Sequence, residues 1–497
     1  MGFLFLFLVA TACSPPANQP PTPVGTGPSD VVHVTLLHIN DVYEITPLDQ
    51  GRSGGLSRIA ALRQRLLASN PNTLLMLGGD FFSPSAVGTA LVDGARLAGR
   101  QMVATLNATG VDLAVFGNHE FDLREPEFLS RLGESRFPYL ATNVTDANGD
   151  LFPGTVPHRI VTITAPSGRT VRIGFVGATI RSNQREWVRY TDPDSALRRE
   201  VALIRDSADA IVALTHLPIA TDIHLAETVP ELTVLLGGHE HDNQAYRRGP
   251  NFTPVLKADA NARSAVVVHL AVRPGAPASV SYELVVVTDS IPEDPVVRAE
   301  ADRWMALGTT GIRTAGFEPD RVVTRTSEPL DGREAVMRTR PTLLGAIVAS
   351  ALRHETDADV GLFNTGSIRI DDVLPPGPIT EYDLIRILPF GGNAVEVDMT
   401  GALLVRVLAT GESNRGTGGY LAWDNVGRDS SGRWTVGGAP VDTTRGYRVV
   451  TTDFLVSGAE RNLGYLAPGH PDLRMLRELR DVRQVVMTEL RRRYGLP

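Results

Sequence analysis

LAVFGNHEFD, residues 113–122, is an apolar run that stops in Asn118, His119 and Asp122. Such a run reads as a buried strand. A strand ending in an amide and an imidazole presents them at the carboxyl edge of its sheet, where open α/β folds place ligands. The pattern recurs on both sides: LLHIND (36–41) ends in Asp41, LLMLGGD (74–80) in Asp80, IVALTH (211–216) in His216, and VLLGGHEH (234–241) in His239 and His241. Asp, Asn and His make an oxygen-and-nitrogen donor set suited to Zn²⁺, Mn²⁺ or Fe rather than to metals that favour thiolate. Each ending has a plainer alternative: Asp41 and Asp80 as helix N-caps, Asn118 as a turn residue, His216 as a hydrogen-bonded core histidine. Five in succession outweigh these alternatives and predict a metal site. His33 and His38 are expected to be structural, and His158 and His224 lie off the pattern.

Around these endings, residues 31–290 alternate strand-like and helix-like segments. VVHVTLLHI, NTLLML and VDLAVF read as strands; GGLSRIAALRQRLLAS and GARLAGRQMVATLNA have helical spacing. That βαβαβ order implies a largely parallel sheet with helices on its faces. RTVRIGFVGA, DAIVAL and LTVLLGG continue it, and SAVVVHLAVR with SVSYELVVVT reads as an antiparallel hairpin. A Pro-introduced helix in 291–323 is expected to connect to a second unit, 324–497. There RPTLLGAIVASALRHE reads as a helix, DVGLFN as a strand, YRVVTTDFLVSG as a strand leading into a loop, and LRMLRELRDVRQVVMTELRRR as one amphipathic helix.

The 497 residues, with 42% hydrophobic content, suffice for two or three domains. A net charge of −8 argues against nucleic acid held by bulk electrostatics. Lys257 is the only lysine, so nearly all positive charge is arginine, the residue suited to bidentate grip on phosphate. Residues 2–12 (GFLFLFLVATA) are too short to span a bilayer and precede the single cysteine, Cys13, in a setting that resembles a lipobox. The expectation is a signal peptide over 1–13, lipid anchoring at Cys13, a Pro-rich linker over 14–30, and a protein exported to the periplasm or cell surface. With no other cysteine, disulfides are excluded from the body of the chain.

LHIND, GGD, GNHEFD, THL and GGHEH, in this order, resemble the calcineurin-like metallophosphoesterases. Together with the later segment they resemble the 5′-nucleotidase family, whose bacterial members are exported. The resemblance implies an α/β fold: a four-layer αββα sandwich carrying two divalent metal ions, joined by a helix to a C-terminal α/β substrate domain that rotates to deliver substrate. It implies Asp80 as the carboxylate bridging both ions, Asn118, His216 and His239 around one, and Asp41 and His241 around the other. Two such ions can clamp a phosphoryl group and activate a water. His119 and Asp122 resemble the family's catalytic dyad, an imidazolium that protonates the leaving oxygen and a carboxylate that orients it. Three residues apart, they share a face if a helical turn starts there.

The second unit carries a looser match. FNTGSIRIDD resembles the family's N-x-G-G-I-R loop and gives Asn364 and Arg369; MRTRPTLLG gives Arg338. Phe390 and Phe454 fall where two rings sandwich a nucleobase, an arrangement worth about 1–3 kcal/mol per base; core packing is the plainer reading of both. Two departures matter. The first motif is D-x-H in the family but Asp41-Val42-Tyr43 here, so Tyr43 either ligates an iron, or lines the cleft while water or Glu44 fills the position, or leaves that ion weakly held. A family aspartate that binds ribose hydroxyls is Glu460 here, and its extra methylene would crowd a ribose. The function implied is hydrolysis of nucleotides or related small phosphate esters. The same scaffold could serve a cyclic-nucleotide phosphodiesterase, a nucleotide-sugar hydrolase or a thiosulfohydrolase. A nucleotide-binding surface lipoprotein with an impaired metal site is the reading from a different class.

Overall fold

The computed structural model describes residues 31–182 and 184–496, so the segment expected to carry the signal, Cys13 and the Pro-rich linker lies outside the described residues. Six strands place the chemistry: β1 (Val32–Ile39), β2 (Thr73–Leu77), β3 (Leu113–Val115), β4 (Ala210–His216), β5 (Val234–Gly237) and β6 (Thr253–Lys257). β1, β2 and β3 lie side by side and parallel in a seven-stranded sheet, extended on β1's free side by the antiparallel hairpin Ser264–Arg273 and Ala276–Val286. β4, β5 and β6 are parallel neighbours in a second, six-stranded sheet.

The side-chain period of two decides how the sheets stack. Val34 and Leu36 of β1, Met76 of β2, and Val212 and Leu214 of β4 share one core between the sheets. Leu37 and Ile39 of β1 and Leu75 and Leu77 of β2 face the other way, under the helices Leu56–Ser69, Arg100–Thr109 and Pro295–Thr314. Ile211 and Ala213 of β4 face helices Pro193–Ile204 and Ile219–Thr228. Helix, sheet, sheet, helix is the four-layer αββα order. Fully buried on both faces, the central strands read as near-continuous apolar runs.

The helix Pro295–Thr314 starts on Asp294, whose side chain accepts from the backbone N–H groups of Val296 and Val297, and leads into the C-terminal α/β part. There a five-stranded sheet runs in the order Leu421–Asp424, Val360–Asn364, Gly446–Thr452, Asn393–Thr400, Leu473–Asp481. Helices Leu343–Thr356 and Val482–Tyr494 cover one face and Gly401–Ser413 the other.

Two expectations from sequence are corrected. LRMLRELRDVRQVVMTELRRR is not one helix: Leu473–Asp481 is an edge strand and only Val482–Tyr494 is helical. Arg474 and Arg477 pair across the ladder with Asp398 and Glu396 at 3.1 and 2.7 Å, contacts a helix would not offer, and Asp481 caps the helix that follows. Likewise the helix expected over GARLAGRQMVATLNA begins only at Arg100, because Gly99 (φ 83°) turns the chain through the left-handed region just before it.

Candidate functional site

The five motif-bearing strand ends meet at one edge of the sandwich. Asp41, Asp80 and His216 are all buried and offer ligand atoms within 4.8 Å of one another. Their backbones are unusual: Asp41 (φ 52°), Asp80 (φ 56°) and His239 (φ 83°) are non-glycine residues in the left-handed region. Each such residue costs on the order of 1–3 kcal/mol, and they cluster at functional sites. This disposes of the N-cap alternative for the two aspartates. The helices that follow begin at Leu56 and Arg100, each preceded by a glycine. His239 and His241 project from the loop beyond β5, which stops at Gly237, and not from an extended strand.

Close approach of these loops explains the glycines in their motifs. A Cβ on Gly117 would lie 2.0 Å from Asp80 Oδ1, and one on Gly238 2.2 Å from the Gly78 carbonyl and 2.9 Å from Asp41 Oδ2. The carboxylates are held by donors: Asn40 Nδ2 and the His239 N–H give to Asp41 Oδ2 (2.7 and 2.9 Å), and the His119 N–H gives to Asp80 Oδ1 (2.7 Å). His216 donates Nδ1–H to the Gly78 carbonyl at 2.8 Å, which turns Nε2 toward Asp80 Oδ2 (3.1 Å) and Asp41 Oδ1 (3.9 Å). An outer hydrogen bond that fixes the tautomer and aims the other nitrogen is the usual arrangement of a metal-ligating histidine. Burial opposes charge on His216, but Asp80 and Asp41 push its pKa up to about 10. Burial and the neighbouring His216 push His239 down to about 4. Two buried carboxylates with imidazoles aimed at them fit a divalent cation. Asn118 is buried at the head of the 3₁₀ turn His119–Asp122 beside them.

Tyr43 lies inside this cluster. Its hydroxyl donates toward Asp80 Oδ2 (3.3 Å) and Asp41 Oδ1 (3.5 Å) and lies 3.2 Å from His241 Nε2. Burial, then Asp80 and Asp41, raise its pKa well above the ordinary phenol value. Glu44 points elsewhere: Arg386 Nε and the Tyr382 hydroxyl both donate to it at 3.1 Å, from the C-terminal part. Of the fillers considered for the D-x-H position, Glu44 is therefore spoken for.

His119 donates Nδ1–H to Asp122 Oδ2 at 2.6 Å, and Arg369 Nη2 reaches its Nε2 at 2.6 Å. Burial works against its charge, yet Asp80 and Asp122 hold its pKa above the ordinary value. A cavity of about 530 Å³ opens here, lined by His239, His241, Glu334, Arg338 and Asp371 among others. Arg338 pairs with Glu334, which also lies 3.6 Å from Arg369, and Asp371 contacts His241 Nδ1. Asn364 Nδ2 donates to Glu460 Oε2 at 2.8 Å, and burial raises the Glu460 carboxyl above its usual range. Phe390 and Phe454 are 52% and 43% exposed, and neither lines this cavity. Phe390 lines a separate cavity of about 280 Å³ with Leu91, Ile312 and Phe317.

Three groups in or behind the site went unassigned at the level of sequence. Glu120 is fully buried, and its carboxylate accepts from the backbone N–H groups of Asp80, Phe81, Phe82 and Gly117 at 2.6–3.0 Å, tying two motif loops together. Burial and Asp80 push its pKa up to about 7. Glu334 and Asp371 come from the C-terminal part. An acidic residue inside GNHEFD was the only signal for the first; the other two are visible only once the halves pack.

Comparison with known proteins agrees with this fold. A family model described as "Calcineurin-like phosphoesterase" matches residues 34–243, and one described as "5'-nucleotidase, C-terminal domain" matches 322–465. The chain is similar to the 5'-nucleotidase of Bos taurus, 26% identical over 499 residues that span 86% of this chain and 83% of that protein. Among solved structures, a 5'-nucleotidase precursor from Thermus thermophilus superposes with a TM-score of 0.73 at 21% identity, covering 93% of this chain and 97% of that one. A sulfate thiohydrolase, SoxB, from the same organism superposes at 0.68 and 19% identity, covering 93% and 94%. At these identities the structural likeness speaks to the fold alone.

Proposed function

Because the chain belongs to the 5′-nucleotidase family of calcineurin-like phosphoesterases, we infer that it hydrolyses nucleotides or related small phosphate esters, outside the cytoplasm, with two divalent metal ions. Asp41, Asp80, Asn118, His216, His239 and His241 are the residues that would hold them. When bound, such ions neutralise phosphoryl oxygens and supply a nucleophilic water. The observation that carries the reading is the buried Asp41–Asp80–His216 cluster with the His119–Asp122 pair beside it. Zn, Mn and Fe all suit the donor set.

The chain's own groups divide the remaining work. His119 protonates the leaving oxygen through Nε2, while Asp122 holds the ring by Nδ1 and favours its charged form. Arg369 and Arg338 grip phosphate oxygens, Arg369 from a position in contact with His119. Asn364 and Glu460 meet the organic part of the substrate, and the Asn364–Glu460 hydrogen bond limits the room left for a ribose. Phe390 and Phe454 are candidates for stacking a base if the C-terminal part turns to bring them to the cleft. Export and lipid attachment at Cys13 rest on the sequence of residues 1–30. No helix among the described residues is long and apolar enough to cross a membrane.

A second reading has one observation in its favour: the Tyr43 hydroxyl stands among Asp41, Asp80 and His241. A neutral phenol there would weaken one cation and leave a binder of nucleotide-like ligands. Phosphate release from nucleotides, cyclic nucleotides and bis(p-nitrophenyl) phosphate, after chelation and addition of Mn²⁺, Zn²⁺ or Fe, separates the two. Metal-dependent turnover of 5′-monophosphates supports the hydrolase; no turnover with any metal, together with ligand binding, supports the binder.

A further inference from the structure

The only lysine in the chain is fully buried directly behind the strand ends that carry His216 and His239. Lys257 closes β6, in register with Gly237 of β5. Its Nζ donates to the Leu217 carbonyl at 2.6 Å and to the Gly238 carbonyl at 2.7 Å. It also meets the Glu240 carboxylate, and Asp222 Oδ2 at 3.0 Å. Leu217 follows His216, Gly238 precedes His239, and Glu240 lies between His239 and His241. One ammonium thus ties together both loops from which three imidazoles project.

The surroundings are built for it. A Cβ on Gly237 would lie 2.7 Å from Lys257 Cε, so the glycine makes room for the lysine stem. Asp222 Oδ1 accepts from Thr215 Oγ1 at 2.8 Å, and Glu240 Oε1 accepts from the Ile219 N–H at 2.8 Å, so both counter-charges are themselves anchored to the loop around His216. Burial disfavours the ammonium, but Asp222 and Glu240 raise its pKa and keep it charged. In a chain whose other basic residues are all arginine, this position holds the compact cation. The three N–H groups of a tetrahedral nitrogen serve two carbonyls on different loops and the Glu240 carboxylate, with Asp222 alongside as a second counter-charge, whereas a guanidinium spreads its donors in a single plane.

We propose that Lys257 is a positioning residue of the metal site: it fixes the spacing of the His216 and His239–His241 loops and thereby sets the affinity for divalent cations. The proposal rests on the ligand assignment given under the proposed function. Because Lys257 is unique, protein grown with ¹³C,¹⁵N-lysine gives one lysine side-chain signal, which reports on this site alone.

The test pairs that signal with Zn²⁺ affinity, measured by chelator competition on the whole protein, for wild type, Lys257→Arg and Lys257→Gln. The lysine signal is expected to shift as Zn²⁺ saturates the wild type. Variants that keep the wild-type secondary structure and melting temperature are expected to bind Zn²⁺ roughly 10–100-fold more weakly, the usual effect of losing an outer partner of a metal ligand. Wild-type Zn²⁺ affinity in a folded variant, or a lysine signal indifferent to saturating Zn²⁺, overturns the proposal and leaves the metal assignment standing. A wild type that binds no Zn²⁺, Mn²⁺ or Fe overturns both. If both variants fail to fold, the titration of the wild-type signal decides alone.

Discussion

Arg369 Nη2 lies 2.6 Å from His119 Nε2, so a guanidinium of the C-terminal part donates to the imidazole of the sandwich. With Nδ1–H given to Asp122, that ring is drawn in its neutral form, although Asp80 and Asp122 favour the charged one. A guanidinium beside an imidazole that can take up a proton marks where an anion would be accommodated. A phosphoryl oxygen placed between them would take the Arg369 hydrogen bond and leave Nε2 free to carry the proton.

Arg369→Ala is therefore expected to lower kcat/KM for a 5′-monophosphate roughly ten- to a hundred-fold, the worth of a hydrogen bond to a charged group at about 1.5–3 kcal/mol. Arg369→Lys should recover only part of it, since an ammonium offers a point charge where the fork made two aligned donors. Steady-state kinetics checks both; an unchanged kcat/KM in the alanine variant would remove Arg369 from the phosphate site.

His119→Asn removes the proton donor proposed above but leaves Asp41, Asp80 and His216 in place. Turnover is expected to fall roughly 10²–10⁴-fold, the usual contribution of a positioned acid, while metal content measured by elemental analysis stays at the wild-type level. Asp122→Asn should cost less, because the ring survives and only its orientation and charge preference suffer. Loss of metal along with activity in His119→Asn would mean that this residue supports the cluster instead of the chemistry.

The strand ends were legible in the sequence because each couples a period-two or continuous apolar run to an abrupt polar stop. That pattern is local. What escaped is non-local. Glu120 is held by four backbone N–H groups drawn from two loops, and Lys257 bridges the loops after β4 and β5, so most partners of each lie far along the chain. The terminal segment is ambiguous in sequence because arginine–leucine spacing suits a helix as well as an edge strand until its partners, Glu396 and Asp398, are known. Phe390 and Phe454 were legible as aromatic positions, but their distance from the cleft depends on how the two halves are set against each other.

Tyr43 stands where the resemblance to the family leads one to expect a histidine, and its hydroxyl lies against Asp41, Asp80 and His241. Held by Arg386 and Tyr382, Glu44 does not take the place of an imidazole there. Tyr43→His is expected to raise the equivalents of Zn²⁺ retained after gel filtration, and Tyr43→Phe to leave them unchanged. The reverse pattern, with metal lost in the phenylalanine variant and not gained in the histidine one, would identify the phenol as a ligand.

His38 gives a stability prediction independent of any ligand. It is a fully buried residue of β1, its Nε2–H donates to the Gly237 carbonyl at 2.9 Å, and Nδ1 has no hydrogen-bond partner among the described residues. Burial lowers its pKa from 6.5 to about 4. Between these values the unfolded chain binds a proton that the folded one refuses, so stability is full above pH 6.5 and declines as pH falls toward 4. A shift of that size corresponds to about 3 kcal/mol. Urea unfolding at pH 7, 6 and 5 is expected to show this decline in the wild type and a shallower one in His38→Gln, which keeps a donor for Gly237 but cannot titrate. Parallel pH profiles for the two proteins would mean that His38 is charged in the fold, or reached by water, and that the acid sensitivity of the sandwich comes from its carboxylates.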